Sequence, residues 1–388
     1  MEKKRILRIC HKLLKDNDGY DLDIQDLCLS LSDYYDNYVI FFITRNNLEE
    51  FLKQNKLITR DNFYYSKKIK SFLLPVFYEE ITSELLSDFY RLKNIISFYK
   101  QYKIYLSKIN PDIIHIHGTL IPQYLLSTFN KKHKIVTHHI GKINKNNQKL
   151  RYKLVKWIMH NTIPRFSSKV ICISEYSKSS FLFKKNIEVI VPIPKEKNIQ
   201  YKNYNKILIQ NILNNRFNLN GKIYFYPARF CEQKNQLKLV QGFEKFLEDK
   251  NTNSKLILVG KIFDSDYFNK ILDMMKKSKF TNNYCIINEI NNQEIHALMS
   301  KINFLVMPSI NEGLGRIVFE ALQKKKPVII SKKGGFSDLS IIDSAISVNP
   351  EDIEDIKQGL EKVKFLKVKN LDLNHKDYVK KIRGIYEN

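Results

Sequence analysis

The sequence holds no apolar run near the ~18 residues that a membrane-crossing helix requires. Its densest short run is Val39-Ile40-Phe41-Phe42-Ile43. Cysteine is scarce: Cys10, Cys28, Cys172, Cys231 and Cys285 are odd in number and show no C-x-x-C spacing. That argues against a disulfide frame or a zinc site and for a reducing cytosol. Residues 1–10 alternate basic and apolar side chains with no long apolar core, so they read as a first β-strand without a secretory signal. Acidic residues are also short, 40 Asp and Glu against 65 Lys and Arg, a formal net charge of +25. Such an excess draws phosphates, nucleic acid or anionic lipid. The charges are spread along the chain, however, and a composition crowded with Lys, Asn, Ile, Tyr and Phe puts Lys on any solvated face. Net charge alone therefore selects no function.

What is present describes a globular protein. The 388 residues exceed twice a common domain size of roughly 150. With 43% hydrophobic and 27% charged residues, the chain can bury real cores, and disorder is excluded as its general state. Apolar strands are expected over 6–10, 38–43, 113–116, 134–137 and 169–173, then over 222–226, 255–259, 284–287, 304–307 and 327–330. Helical periodicity falls between them, over 23–34, 81–93, 149–161, 236–247, 292–301 and 316–324. Strand–helix alternation implies parallel sheets flanked by helices. Pro192-Ile193-Pro194 and the polar stretch to Asn220 form the natural linker. The expectation is an N-terminal domain over 1–195, a second over 196–370, and a closing helical stretch over 371–388 that packs back on the first. Two doubly wound sheets should face each other across a cleft, with ligands outside the carboxyl ends of the strands.

The chemistry concentrates in residues 308–322. There Pro308-Ser309-Ile310-Asn311-Glu312-Gly313-Leu314-Gly315-Arg316 follows an apolar strand and opens a helix. Gly313 and Gly315 let the backbone approach a ligand, and the free amides from Gly313 through Leu314 and Gly315 aim at negative charge. Glu312 in the loop and Glu320 in the helix can accept hydrogen bonds from two polyhydroxy parts of one ligand, with a phosphate held between. A nucleotide sugar has that layout; a glycine-containing helix cap with two solvated glutamates has it too.

At this point the sequence resembles the retaining GT-B glycosyltransferases of family four, relatives of glycogen synthase. Their P-S-x-x-E-G-x-G-x-x-x-x-E-A pattern carries a Glu-x7-Glu segment, matched by Glu312 and Glu320. Tyr226-Pro227-Ala228-Arg229-Phe230-Cys231-Glu232-Gln233-Lys234 is similar to the family's strand end, in which an Arg and a Lys grip the donor diphosphate. The resemblance places those roles on Arg229 and Lys234. Leu258-Val259-Gly260, the stretch from Glu294 to Pro308, Lys326-Pro327-Val328 and Gly334-Gly335 continue the match in order. It implies two Rossmann-like domains, a nucleotide-diphosphate sugar as donor, no cofactor and no metal. It also implies retention of anomeric configuration without the two-carboxylate glycosidase mechanism. Glu320 would bind ribose, Glu312 the donor sugar. Arg316 stands where the family is usually apolar; a cation at a helix N-terminus opposes the dipole, so it is expected to meet donor phosphate or acceptor.

The first half matches more sparsely. Asp112-Ile113-Ile114-His115-Ile116-His117 resembles the D-x-x-H-x-H strand end whose second His, here His117, reaches the donor sugar. His115 is expected in packing. His139, after Val136-Thr137-His138, resembles another strand end facing the cleft. Asp18-Gly19-Tyr20-Asp21 occupies the family's Gly-Gly-x-Glu loop, where amides approach the diphosphate, with Asp18 in place of the first Gly and Asp21 in place of Glu. Gly19 is carried over as a donor contact, and Asp18, Asp21 and His139 as acceptor-side candidates. Asp264-Ser265-Asp266 has D-x-D form but begins a helix, where acidic caps are ordinary, so no metal is assigned to it.

Over 149–161, Leu150, Leu154, Trp157 and Ile158 share one helical face among Lys149, Arg151, Lys153 and Lys156. Such a helix lies on anionic lipid or packs its stripe on its own sheet. With the charge excess, this suggests a lipid-linked or glycan acceptor at the inner face of a bacterial cytoplasmic membrane, in surface polysaccharide or glycolipid synthesis. Three rivals are another GT-B activity, such as a sugar-phosphate or starch-type synthase, a basic nucleic-acid-binding protein, and a degenerate, non-catalytic homologue, against which intact Glu312, Glu320, Arg229 and Lys234 argue. The second lacks the aromatic–basic motifs of that class, so no nucleic-acid partner is expected.

Overall fold

The computed structural model describes residues 2–10, 19–60, 63–78, 87–118, 133–138, 161–165, 167–196, 221–250, 252–288, 291–339, 343–368 and 373–387. The chain divides into two compact units, one of Met1–Pro192 with His375–Asn388, the other of Ile193–Asn374.

The first unit is built on strands β1 (Lys4–Ile9), β2 (Tyr35–Ile43), β3 (Ile58–Arg60), β4 (Phe63–Ser66), β5 (Ser71–Phe77), β6 (Ile113–His117), β7 (His133–His138), β8 (Lys169–Cys172) and β9 (Ile187–Val189). They form one sheet in the order β3-β4-β5-β2-β1-β6-β7-β8-β9. From β5 to β9 every pairing is parallel, and β3 and β4 extend one edge as an antiparallel meander. Helices α1 (Gly19–Leu31), α2 (Arg45–Gln54), α3 (Ser87–Ile109) and the single turn α4 (Glu175–Lys178) accompany them. Period-two alternation splits the core onto two faces. Leu7, Ile9 and Ile40 pack with Phe98 and Tyr102 of α3, while Val39, Phe41 and Ile43 pack with Ile24 and Cys28 of α1.

The second unit holds β10 (Ile223–Pro227), β11 (Lys255–Val259), β12 (Tyr284–Ile287), β13 (Phe304–Met307), β14 (Val328–Ser331) and β15 (Ala345–Val348). All pairings are parallel, in the order β12-β11-β10-β13-β14-β15. That is the Rossmann order, with its reversal between β10 and β13. The helices are α5 (Gln236–Lys250), α6 (Ser265–Lys277), α7 (Asn292–Lys301), α8 (Arg316–Gln323) and α9 (Ile353–Lys362). The last helix, α10 (His375–Glu387), belongs to the first unit. There Tyr378 donates to the Asp23 carboxylate at 3.2 Å and His375 meets the Ser30 hydroxyl at 2.9 Å. Among the described residues no helix is long and apolar enough to cross a membrane.

Five strands lie outside the sequence expectation: β3, β4, β5, β9 and β15. β3 is exposed at every position, so it carries no buried face for a pattern to mark.

Candidate active site

Ligands of a doubly wound sheet sit outside its carboxyl ends where the strand order reverses. In the second unit that point is flanked by the segments leaving β10 and β13, which carry the two motifs singled out in the sequence. The structure ties them together residue by residue. The Tyr226 hydroxyl donates to the Lys234 carbonyl at 2.6 Å and meets the Ser309 hydroxyl at 2.9 Å. Asn235 adopts a left-handed conformation, φ 61°, and its side-chain amide donates to the Pro308 and Pro350 carbonyls at 3.0 and 2.6 Å. The Ile310 amide donates to the Gln233 carbonyl at 2.9 Å, and the Gln233 side chain donates back to the Asn311 carbonyl. Burial holds the Tyr226 phenol un-ionised, its pKa well above the ordinary value.

This framework brings the Lys234 ammonium onto the Glu312 carboxylate, both side chains largely shielded from solvent. The Glu312 backbone is itself clamped: its carbonyl accepts from the Gly335 amide at 2.7 Å. Gly334, at φ +76°, passes so close that a Cβ there would lie 2.6 Å from the Glu312 oxygen. Arg229 is exposed, with its guanidinium 5.1 Å above the Phe263 ring; the structure does not bring it into the Lys234–Glu312 pair.

Gly315 is the N-cap of α8, at φ −84°. Its lack of a side chain answers to packing: a Cβ would lie 2.5 Å from the buried ring of Phe336. Gly313 and Leu314 are half-buried in the loop before it. Glu320 is 6% exposed, so the picture of two solvated glutamates does not hold. Its Oε1 accepts from Arg316 Nε at 2.8 Å, and His296 Nε2 stands 3.6 Å from its Oε2. Arg316 is therefore engaged one turn down its own helix. An i,i+4 partner offsets the unfavourable dipole, which a reading of the helix N-terminus alone did not anticipate. His296 had no role in the sequence reading; its signal was weak, a lone His on an amphipathic helix. Asp264 caps α6, its carboxylate accepting from the Tyr267 amide at 3.0 Å. Among the described residues no three His, Cys, Asp or Glu side chains assemble into a metal-binding group.

In the first unit the strand order reverses between β1 and β6. His117 ends β6 and is fully buried, stacked on His115 with ring centroids 3.9 Å apart. Beside them on β1 is Arg8, in register with His115 and also fully buried. It donates to Asn37 Oδ1 at 3.0 Å and to the Tyr386 hydroxyl at 3.1 Å, and it stands 3.1 Å from His115 Nδ1 and 3.3 Å from His117 Nε2. One terminal nitrogen of Arg8, with two hydrogens to give, faces His115, His117 and Tyr386 together. Arg8 and Tyr386 are the residues that the sequence reading missed here; a charge inside a run that buries both faces was the available signal. Gly19 is the first residue of α1 and is exposed. Asp21, expected on the acceptor side, is a buried residue of that first turn, and its charge adds to the burial that raises the Cys10 thiol pKa. Asp18, His139 and the stretch from Lys149 to 160 lie outside the described residues.

Residues 209–381 match the model of the family described as glycosyl transferases group 1. The chain is 30% identical over 223 residues to the Staphylococcus aureus protein named capsular polysaccharide biosynthesis glycosyltransferase CapH. That alignment covers 56% of this chain and 58% of the relative, so the chain spans little more than half of the relative's length. It is 27% identical over 323 residues to an uncharacterized glycosyltransferase of Methanocaldococcus jannaschii, covering 78% of this chain and 82% of the other. Among solved structures, Anabaena HepE in complex with UDP and glucose superposes with a TM-score of 0.65 at 16% identity, over 99% of this chain and 97% of that one. The likeness shows a shared fold, GT-B, of two Rossmann-like domains.

Proposed function

We propose, from a second unit that matches the family model of the glycosyl transferases group 1, that this chain is a retaining, metal-independent glycosyltransferase. It moves a sugar from a nucleotide-diphosphate donor to a hydroxyl of a glycan or lipid-linked acceptor, in bacterial surface polysaccharide or glycolipid synthesis. The relative named for capsular polysaccharide supports the pathway class, and the neighbour holding UDP and glucose supports the donor class. The observation that carries the reading is the meeting of Lys234 and Glu312 at the switch point of the second sheet.

In this proposal the donor exchanges that ion pair for contacts of its own. Lys234 and the exposed Arg229 take the diphosphate and offset the charge that builds on the departing nucleotide. The amides of Gly313, Leu314 and Gly315, at the start of α8, face the phosphates. Glu312 takes a hydroxyl of the sugar, Glu320 the ribose, and Arg316 holds Glu320 in place. The first unit contributes His117 toward the sugar and the Gly19 amide toward the diphosphate. Asp18, Asp21 and His139 remain the acceptor-side candidates.

The test is a thermal-shift screen with UDP, GDP, ADP and CMP sugars, using Lys234→Ala and Glu320→Ala as controls. One nucleotide family should raise the Tm of the wild type and neither variant. No shift with any donor, or equal shifts in the variants, would sink the reading.

A further inference from the structure

The first unit carries a surface away from its own switch point. A cavity of about 480 Å³ opens at the amino ends of β8 and β9, lined by Pro164, Arg165, Lys169, Phe183, Lys185 and Asn186. The Asn186 side-chain amide fixes its floor by donating to the Pro164 and Ser167 carbonyls, both at 2.7 Å. Substrates of doubly wound sheets gather at the carboxyl ends, so this opening is not part of the donor site.

Its rim is unusual in two ways. Leu182 is 66% exposed and Phe183 47%, neighbours on the turn that leads into β9, whereas Phe181 before them is buried in the core. Apolar side chains scattered singly on a surface are ordinary, whereas these two are adjacent and both exposed. Around them the charge is one-sided. Glu175 and Glu188 each stand beside a lysine, Lys178 at 3.7 Å and Lys169 at 3.9 Å. Arg165, Lys184 and Lys185 have no carboxylate within ion-pair distance among the described residues.

We propose that this face docks the protein on an anionic lipid surface. Leu182 and Phe183 enter the headgroup boundary, and Arg165, Lys169, Lys184 and Lys185 meet the lipid phosphates. Charge complementarity selects an anionic partner. Two exposed apolar side chains select a lipid, which can take them in without a preformed pocket. Nucleic acid fits less well: the Arg165 guanidinium lies 4.5 Å from the centre of the Phe183 ring and occupies a face that a base would need for stacking. The inference stands apart from the donor reading, because vesicle binding needs no sugar transfer.

The experiment is flotation of the full chain with phosphatidylcholine vesicles, with and without phosphatidylglycerol, at low and high salt. The wild type should float only with phosphatidylglycerol and be released by salt. At about fivefold per cation, Lys184→Glu with Lys185→Glu should weaken binding by at least about 25-fold. Leu182→Ser with Phe183→Ser should weaken it by about a hundredfold. Both variants should keep the wild-type Tm, which separates lost docking from lost folding. Equal flotation with neutral vesicles, wild-type binding by the charge-reversed variant, or an unaffected serine variant would each overturn the proposal.

Discussion

The Tyr386 hydroxyl accepts a hydrogen bond at 3.1 Å from Arg8, 378 residues earlier in the chain, and lies 2.6 Å from His115 Nδ1. One hydroxyl thus joins the last helix to the two central strands of the first unit. With a donor from Arg8 occupying its oxygen, its own proton goes to His115.

Burial pushes the Tyr386 phenol up to about 12, although the nearby Arg8 charge works the other way. A phenol with a folded pKa above its unfolded value of about 10 stabilises the fold fully below pH 10. That contribution is lost as pH rises from about 10 to about 12. Tyr386→Phe should flatten the alkaline decline of stability in this window. At neutral pH it should cost about 1–3 kcal/mol by stripping Arg8 and His115 of a partner. Chemical denaturation across the pH range, alongside tyrosinate absorbance, reads both effects.

Arg316→Ala removes the Nε–H donor held against the shielded Glu320 carboxylate, which His296 also approaches. Expected are a Tm loss and a severalfold rise in donor KM with a smaller change in kcat, since the proposed ribose contact loses its alignment. Arg316→Lys should restore little, because a point charge cannot replace the Nε–H donor held at 2.8 Å. Steady-state kinetics over donor concentration decide this; unchanged constants in Arg316→Ala would remove the residue from the site.

Gly315→Ala places a methyl 2.5 Å from Phe336 Cε1. Overpacking of this kind costs about 1–3 kcal/mol. Because the backbone at φ −84° accepts any residue, the strain comes from the ring alone. Adding Phe336→Leu should recover part of the loss, and a double-mutant cycle in urea measures it. Two losses that simply add would mean that the ring is not what keeps position 315 small.

The sequence made the second unit legible where its strands are short apolar runs between polar turns. The strands at 255–259, 284–287 and 304–307 and the helix at 292–301 fall where the pattern puts them. The pattern stayed silent on β3, exposed throughout, and on β15, which is half-buried over its first three residues. Within the site, Lys234 and Glu312 could each be marked, but their contact spans 78 residues and no local rule supplies it. The Arg316–Glu320 pair was different: an i,i+4 spacing on one helix was open to reading, and the argument from the dipole looked past it. Arg8 was legible only as a charge out of place, since the hydroxyl it needs lies in a helix at the far end of the chain.

That last dependence bears on synthesis. The residues that finish the first unit emerge from the ribosome only after the whole of Ile193–Asn374. At about 5–20 residues per second, the second unit alone takes on the order of 10–40 s to make. Through that interval Arg8 has no phenol to meet, and the first sheet waits with its central strands half-furnished while the later unit is free to fold. The unit whose synthesis begins first is then the last to be completed.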